Sequence, residues 1–493
     1  GARELWVHGR SRPDECDPLF DAWMRVGQLD DDLVWARLLA TFDARQKRLM
    51  AYVARKGSTD LQPWSDLLQR VYARPRDINR VDLPAHKARS ADIATHGLSY
   101  LARYSPEQAL SGWRSMQSRL DFSAQQRARV ERTIARRSLF ARTDAHREWL
   151  HDVLARLGDD TLTGIRLRWA LRERDWAALE RTLPLLSEQE QQEGVWRYWQ
   201  AVALEQRGAL DEARALQEAL ATERGYYSFL AADRLGVTYA FNARPLPQPE
   251  PLAWGDHPVL ERIEELHFHD AQTLAHAEWY KLLQDTPEAG HKAQLARLAS
   301  DRGWHRMAID AAARARAWDA LDVRFPLAYQ NVFDYHAGAQ QVPSTELLAI
   351  SRRESAFFPW ARSSVGARGL MQIMPATGRQ VAASINTRHS AADLYEIDHN
   401  VKLGSTYYRQ LLDRFGGNRI FALSAYNAGP HRVDRWRNDG AEQVPVDIWV
   451  ETIPFHETRN YVQAVLAYNV VFQYLMGEDM QTLLTDAERR ATY

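Results

Sequence analysis

From its N-terminus to about Gly236 the chain keeps apolar residues at helical spacing and shows little strand-like alternation, so the whole stretch reads as helix packed on helix. It is rich in Ala, Leu, Arg and Glu, all strong helix formers. Between Thr163 and Arg172 the apolar positions Ile165, Trp169 and Leu171 recur, and after Asp175 a second run carries Trp176, Leu179 and Leu183. Roughly thirty residues later Val195, Trp199 and Val202 repeat the pattern; Gly208 can close that helix, and Asp211 opens another through Ala215 and Leu216. Two-helix units at a period of about thirty to forty residues predict an α-solenoid, in which each pair buries its apolar face against the next. The tryptophans in these runs fall at packing positions and are read as core, not as platforms for sugar rings.

A chain of 493 residues exceeds one compact core, so several domains are expected. Lys plus Arg (63) balances Asp plus Glu (64), which removes the basic field that nucleic acid or an anionic membrane would need. No run of about 18 apolar residues occurs, and no integral membrane segment is expected. Gly1-Ala2-Arg3-Glu4 offers neither an initiator Met nor a signal pattern and is read as a processed or truncated start. Cys16 is the only cysteine, so no intrachain disulfide can form, and composition leaves the redox compartment open.

Pro245, Pro247, Pro249 and Pro251 remove donors and exclude helix, which predicts an extended linker and a boundary near residue 242. Shorter helices follow, including Leu260 to Phe268 and Trp304 to Arg316, before Phe325-Pro326 and Pro343 introduce a last domain. The expected division is a superhelical domain over 1–242, a helical linker domain over 243–325 and a third domain over 326–493, all-α throughout. His267, His269 and His276 do not have the spacing of a metal site, since ligands on a helix recur at i and i+3 or i+4, and they are read as solvated or core histidines.

In the last domain one glutamate draws attention. A helix predicted from Ser344 carries Leu347 and Ile350 on the same face as Glu354, with Phe357 and Phe358 just beyond. Burial raises a carboxyl pKa, and the negative end of the helix dipole adds to it, so Glu354 can stay protonated near neutral pH as a general acid must. A structural ion pair with a nearby arginine is the alternative for any such residue taken alone.

Three further segments follow in order: Gly369-Leu370-Met371-Gln372-Ile373-Met374-Pro375-Ala376-Thr377, Ala425-Tyr426-Asn427-Ala428-Gly429, and Glu451-Thr452-Ile453-Pro454-Phe455. Together with Glu354-Ser355-Ala356-Phe357 they resemble the lysozyme-like catalytic domain of the soluble lytic transglycosylases, densely from about Pro343 to Tyr474. Tyr226 to Gly236 is similar to the segment that ends the superhelical domain of that family. Before the resemblance is used, the residues allow a coarser reading. Gln372 can offer a donor and an acceptor to an acetamido group; Met371 and Met374 suit either a sugar face or a core. Gly429, followed by Pro430, should close a helix in a left-handed conformation.

The resemblance implies that Glu354 protonates the oxygen between N-acetylmuramic acid and N-acetylglucosamine and then, as carboxylate, takes a proton from the muramoyl 6-hydroxyl, giving a 1,6-anhydro end without water. It assigns Gln372 and Met374 to the substrate groove, Ser363 to a hydroxyl contact near the acid, Tyr426 to the reacting sugar and Glu451 to polar groups of the glycan, with Asn427 bracing the site. Glu457 and Arg459 read as a structural ion pair, and Tyr461 follows in the same motif. No metal or other cofactor is implied. The implied partners are peptidoglycan strands and, as candidates, cell-wall synthases; the implied compartment is the periplasm, the expected state a monomer, and the expected action exolytic. A water-using muramidase and a catalytically dead glycan-binding scaffold are the alternatives. Long family members have a larger helical domain, so closure of the superhelix into a ring stays open.

Overall fold

The computed structural model describes residues 1–248, 254, 257–438 and 443–493. Among them there are helices and two isolated bridges, Arg362 with Arg368 and Arg368 with Ile373, but no strand. The chain divides into two compact units, Gly1–Glu173 with Ala177–Gln191, and Arg174–Trp176 with Gln192–Tyr493.

The first unit is a succession of helices joined by short turns, among them Asp31–Asp43, Ala88–Leu101, Ala124–Ala141 and Asp160–Glu173. Their starts follow from the sequence: Asp30 accepts from Leu33 N at 2.8 Å, and Ser123 with Gln126 forms a reciprocal capping box. Trp35, Leu38, Phe42, Leu98, Trp113 and Ile134 share one core. Trp169 is buried in a neighbouring cluster, as the packing reading required.

In the second unit the expected helices Gly194–Arg207 and Leu210–Ala221 appear on either side of Gly208, with Trp199 fully buried between neighbours. Tyr226–Leu235 follows. Polar contacts fasten these helices to the end of the chain: the Tyr198 hydroxyl donates to Asp447 at 2.7 Å, Arg234 lies 3.1 Å from the same carboxylate, and Tyr239 accepts from Leu483 N at 3.1 Å. The boundary between units therefore falls at 191/192, inside the 1–242 span expected to be superhelical.

After Leu235 the chain runs without helix through Pro245 and Pro247; Pro249 and Pro251 lie outside the described residues. Helices Pro258–Phe268, Gln272–Asp285, Ala289–Asp301 and His305–Arg314 then enclose a core of Ile263, Trp279, Leu283, Leu295 and Met307. The histidines here behave as expected. His269 is exposed beside Glu265, and His276 packs on Phe358 at 4.2 Å, where burial pushes its pKa down to about 4.

The last segment builds helices Gln330–Gln340, Ser344–Glu354, Pro375–Ser384, Ile397–Arg414, Arg419–Ala428, Pro430–Asn438, Val446–Glu451 and His456–Leu475. A buried charge cluster holds it together. Arg419 binds Glu488 at 2.7 Å and Glu346 at 3.2 Å, and Tyr408 donates to Glu346 at 2.7 Å, so each buried charge has a partner. One expectation is corrected: Gly429 has φ 89° and ψ 143°, which is not the left-handed helical conformation, and Pro430 opens a new helix instead of merely ending the old one. A proline is well suited to a first helical turn, where its missing N–H has no acceptor to lose.

Candidate functional site

Glu354 is the last residue of its helix, in keeping with the expected place near the helix end, and Leu347 and Ile350 beneath it are fully buried. The carboxyl is half-buried, and desolvation raises its pKa from 4.5 to about 7. The charge of Glu457 adds to the rise, while the facing Tyr461 hydroxyl and the Arg353 guanidinium oppose it. Burial wins because Arg353 is exposed to water, which screens it. Tyr426 and Tyr461 are both pushed well above the usual phenol range, first by burial and next by the charge of Glu354. Two neutral phenols thus share the surroundings of one carboxyl that can exchange a proton near neutral pH.

Ser351 and Ser355 lie one helical turn apart on either side of Glu354, and both donate to the carbonyl of Leu370, at 3.3 and 2.7 Å. These bonds anchor the glycine-containing turn to the acid's own helix. The turn is held from beneath by Asn400, whose Nδ2 donates to Arg368 O at 3.0 Å and Leu394 O at 2.8 Å while its Oδ1 accepts from Met371 N at 2.8 Å. Gly369 has φ 76°, and a Cβ there would run into Leu394 O and Asn400 Nδ2. Only glycine fits both demands. Asn400 was not singled out in the sequence, although it lies on the apolar stripe of Ile397, Val401, Gly404 and Tyr408, where a buried amide must find partners.

The two methionines separate by environment. Met371 is 0% exposed and packs on Gly404, where a Cβ would collide with its sulfur, whereas Met374 is 40% exposed. Gln372, at φ 48°, donates its amide nitrogen to Ala361 O at 3.1 Å and Gly369 O at 2.9 Å. Two carbonyl acceptors fix the orientation of that amide, so the donor capacity expected to meet an acetamido group is turned into the loop, and the oxygen remains as an acceptor. Ser363 is half-buried and its hydroxyl accepts from Ala367 N at 3.0 Å, closing the turn that contains Gly366.

Tyr426, at the end of Arg419–Ala428, donates its hydroxyl to Met371 O at 2.8 Å. Asn427 accepts from Thr458 Oγ1 at 2.7 Å. Glu451 departs from expectation. It is 1% exposed and hydrogen-bonds the Tyr227 hydroxyl, with Gln463 Nε2 at 3.1 Å and Arg459 at 4.0 Å. A carboxylate enclosed in this way is not open to a polymer from solvent. The expected pairing of Glu457 with Arg459 is likewise corrected: Arg459 is buried against Glu451 and Ile453 O, while Glu457 is exposed and its charge bears on Glu354. Two other carboxylates of this segment also have partners, Asp393 with Ser390 and Asp398 with His336.

The chain is similar to known proteins along nearly its whole length. The Transglycosylase SLT domain matches residues 331–444, the Soluble lytic murein transglycosylase L domain residues 254–321, and the Soluble lytic transglycosylase helical domain residues 452–481. The soluble lytic murein transglycosylase of Escherichia coli K12 is 33% identical over 495 residues, covering 99% of this chain and 76% of the relative. That of Salmonella typhimurium is 32% identical over 500 residues, covering 100% and 77%. Among solved structures, an inactive mutant of the lytic transglycosylase Slt from Pseudomonas aeruginosa superposes with a TM-score of 0.83 at 33% identity, covering 100% of this chain and 80% of the other. The 70-kDa soluble lytic transglycosylase of Escherichia coli gives 0.84 at 32% identity with the same coverage. The bulgecin A complex of a 70-kDa soluble lytic transglycosylase gives 0.86. Shared sequence over nearly the whole chain, on a shared fold, means that this chain belongs to the soluble lytic murein transglycosylase family.

Proposed function

We propose that Glu354 is the single acid and base of a peptidoglycan lytic transglycosylase that cleaves the bond between N-acetylmuramic acid and N-acetylglucosamine and leaves a 1,6-anhydromuramoyl end. The observation that carries this reading is the half-buried carboxyl with a pKa near 7, gathered with Tyr426 and Tyr461 under the turn that carries Gln372 and Met374. A group poised there can donate a proton to the glycosidic oxygen and then accept one from the muramoyl 6-hydroxyl. Protonation lets the leaving sugar depart; the substrate's own 2-acetamido group steadies the positive centre at C1. The deprotonated Glu354 then draws the 6-hydroxyl proton, and O6 closes on C1. Bonds and protons balance without water, which makes the enzyme a lyase.

Within this reading Met374 offers an exposed apolar contact to a sugar face, and Gln372 offers its carbonyl oxygen. Ser363 shapes the rim of the same groove. Tyr426 and Asn427 act on the groove through Met371 O and Thr458. Glu451 acts as a buried brace. The superhelical, linker and catalytic domains span 1–242, 243–325 and 326–493. Action at strand ends, a periplasmic location, a monomeric state and association with cell-wall synthases complete the proposal. No helix among the described residues is long and apolar enough to cross a membrane.

Mass spectrometry of products from purified peptidoglycan, comparing the natural chain with Glu354→Gln, tests the assignment. Anhydro ends that vanish in the variant are expected. Reducing ends, one water heavier, would make the enzyme a hydrolase, and anhydro ends undiminished in the variant would remove Glu354 from the chemistry.

A further inference from the structure

One cluster of side chains lies outside the machinery around Glu354. The segment joining helix Pro375–Ser384 to helix Ile397–Arg414 carries His389 and a short turn, Asp393–Tyr395, and His399 sits in the first turn of the following helix. Folding brings His389 Nδ1 to 3.0 Å from His399 Nε2, with ring planes 2° apart. A carboxylate oxygen of Asp393 and one nitrogen of each imidazole lie within 4.8 Å of one another, the one group of three such side chains among the described residues.

The groups are held in place before any ligand arrives. Asp393 accepts from Ser390 N and from Ser390 Oγ, each at 2.7 Å, which fixes the carboxylate and leaves lone pairs to spare. His389 Nε2 is buried without a hydrogen-bond partner, against Gly378, where a Cβ would come within 2.9 Å. The nitrogen of His389 that does face a partner faces another imidazole. Two neutral imidazoles can satisfy each other only when one is the donor; a cation would instead accept a lone pair from both. Zn–N bonds of about 2.0–2.1 Å at a tetrahedral ion set ligand nitrogens ~3.3 Å apart. The observed 3.0 Å is close to that spacing; ring centroids 5.3 Å apart set the two nitrogens head-on, so each ring turns by roughly 35° in its plane to aim its lone pair at a shared tetrahedral ion.

We propose that His389, Asp393 and His399 form a binding site for a divalent transition metal of the Zn²⁺ class, with water completing the coordination. Two imidazoles and one carboxylate, without a thiolate, suit Zn²⁺ better than Cu⁺, and better than Mg²⁺ or Ca²⁺, which take oxygen ligands. The position gives the ion a structural task. Asp393 precedes Leu394 and His399 precedes Asn400, and Asn400 Nδ2 donates to Leu394 O while its Oδ1 holds Met371 N. An ion bridging Asp393 and His399 clips together both ends of the bond that supports the groove turn. It takes no part in the proton transfers of Glu354.

The test is titration of the purified full chain with ZnCl₂ and, separately, MgCl₂, read by native mass spectrometry and by thermal unfolding. One Zn²⁺ per chain and a rise in Tm with Zn²⁺ alone are expected. His399→Gln and Asp393→Asn, made separately, should each weaken binding by at least ~10–100-fold, the loss typical of changing a partner behind a ligand. Asp393→Asn retains an oxygen to accept from Ser390 N and an amide that can donate to Ser390 Oγ, so its loss of affinity reports the ligand and not collapse of the turn. No binding at ~100 μM Zn²⁺, binding unchanged in both variants, or an equal response to Mg²⁺ would overturn the proposal.

Discussion

The hydroxyl of Tyr426 donates to the main-chain carbonyl of Met371 at 2.8 Å, tying the end of one helix to the turn that carries Gln372 and Met374. A tyrosine expected to point at the substrate is thus also a fastener of the groove. Tyr426→Phe should lower thermal stability by about 0.5–1.5 kcal/mol, the worth of one such bond, and reduce turnover as well. Unfolding curves measured beside rates of anhydro-product release check this; lost turnover with unchanged Tm would mean that the bond contributes nothing to the fold.

Glu354 links activity and stability to pH in one direction. Its pKa is near 7 in the folded protein and 4.5 in an ordinary setting, so across that window the folded state holds a proton that the unfolded chain has released. Stability therefore falls as pH rises from about 4.5 to about 7. Glu354→Gln, which cannot ionise, should be more stable than the natural chain by about 1–3 kcal/mol at neutral to alkaline pH and equal to it in acid. Denaturant melts along a pH series decide it. For the natural chain, kcat/KM should decline above pH about 7 as the acid form is lost.

Asn400 and Gly369 should fail together. Asn400→Ala removes the support of Arg368 O, Leu394 O and Met371 N, and Gly369→Ala drives a methyl group into Leu394 O and Asn400. Each is expected to cost about 2–4 kcal/mol. The double variant should cost much less than the sum, because both act on one contact. A double-mutant cycle in urea measures the coupling.

Glu451→Gln should behave as a change in the interior. Its carboxylate is enclosed by Tyr227, Gln463 and Arg459, and removing the charge leaves buried Arg459 less compensated. A loss of about 1–3 kcal/mol in stability is expected with little change in KM. Steady-state kinetics well below the melting temperature separate this from a substrate contact, for which KM would rise while Tm stayed put.

Much of the molecule was legible in order along the chain. Helical spacing gave the paired helices around Gly208 and the helix from Ser344 that carries Glu354 at its end. Local pattern also led to the carboxyl with a raised pKa, because Leu347 and Ile350 share its face within one helix. Those features depend on neighbours within a few residues, and periodicity records such neighbours directly.

Other features needed partners far away in sequence. Whether Met371 or Met374 faced solvent depended on Gly404, and whether Gln372 offered a donor depended on carbonyls already waiting at Ala361 and Gly369. Glu451 looked like a groove residue until Tyr227 closed over it, and Asn400 had no visible task until the turn came to rest on it. The sequence by itself determined an all-α chain with one acid on an apolar helix face. Tertiary structure alone decided which polar groups remain open to a ligand, because a hydrogen bond consumes a donor or acceptor only when folding brings its distant partner within reach.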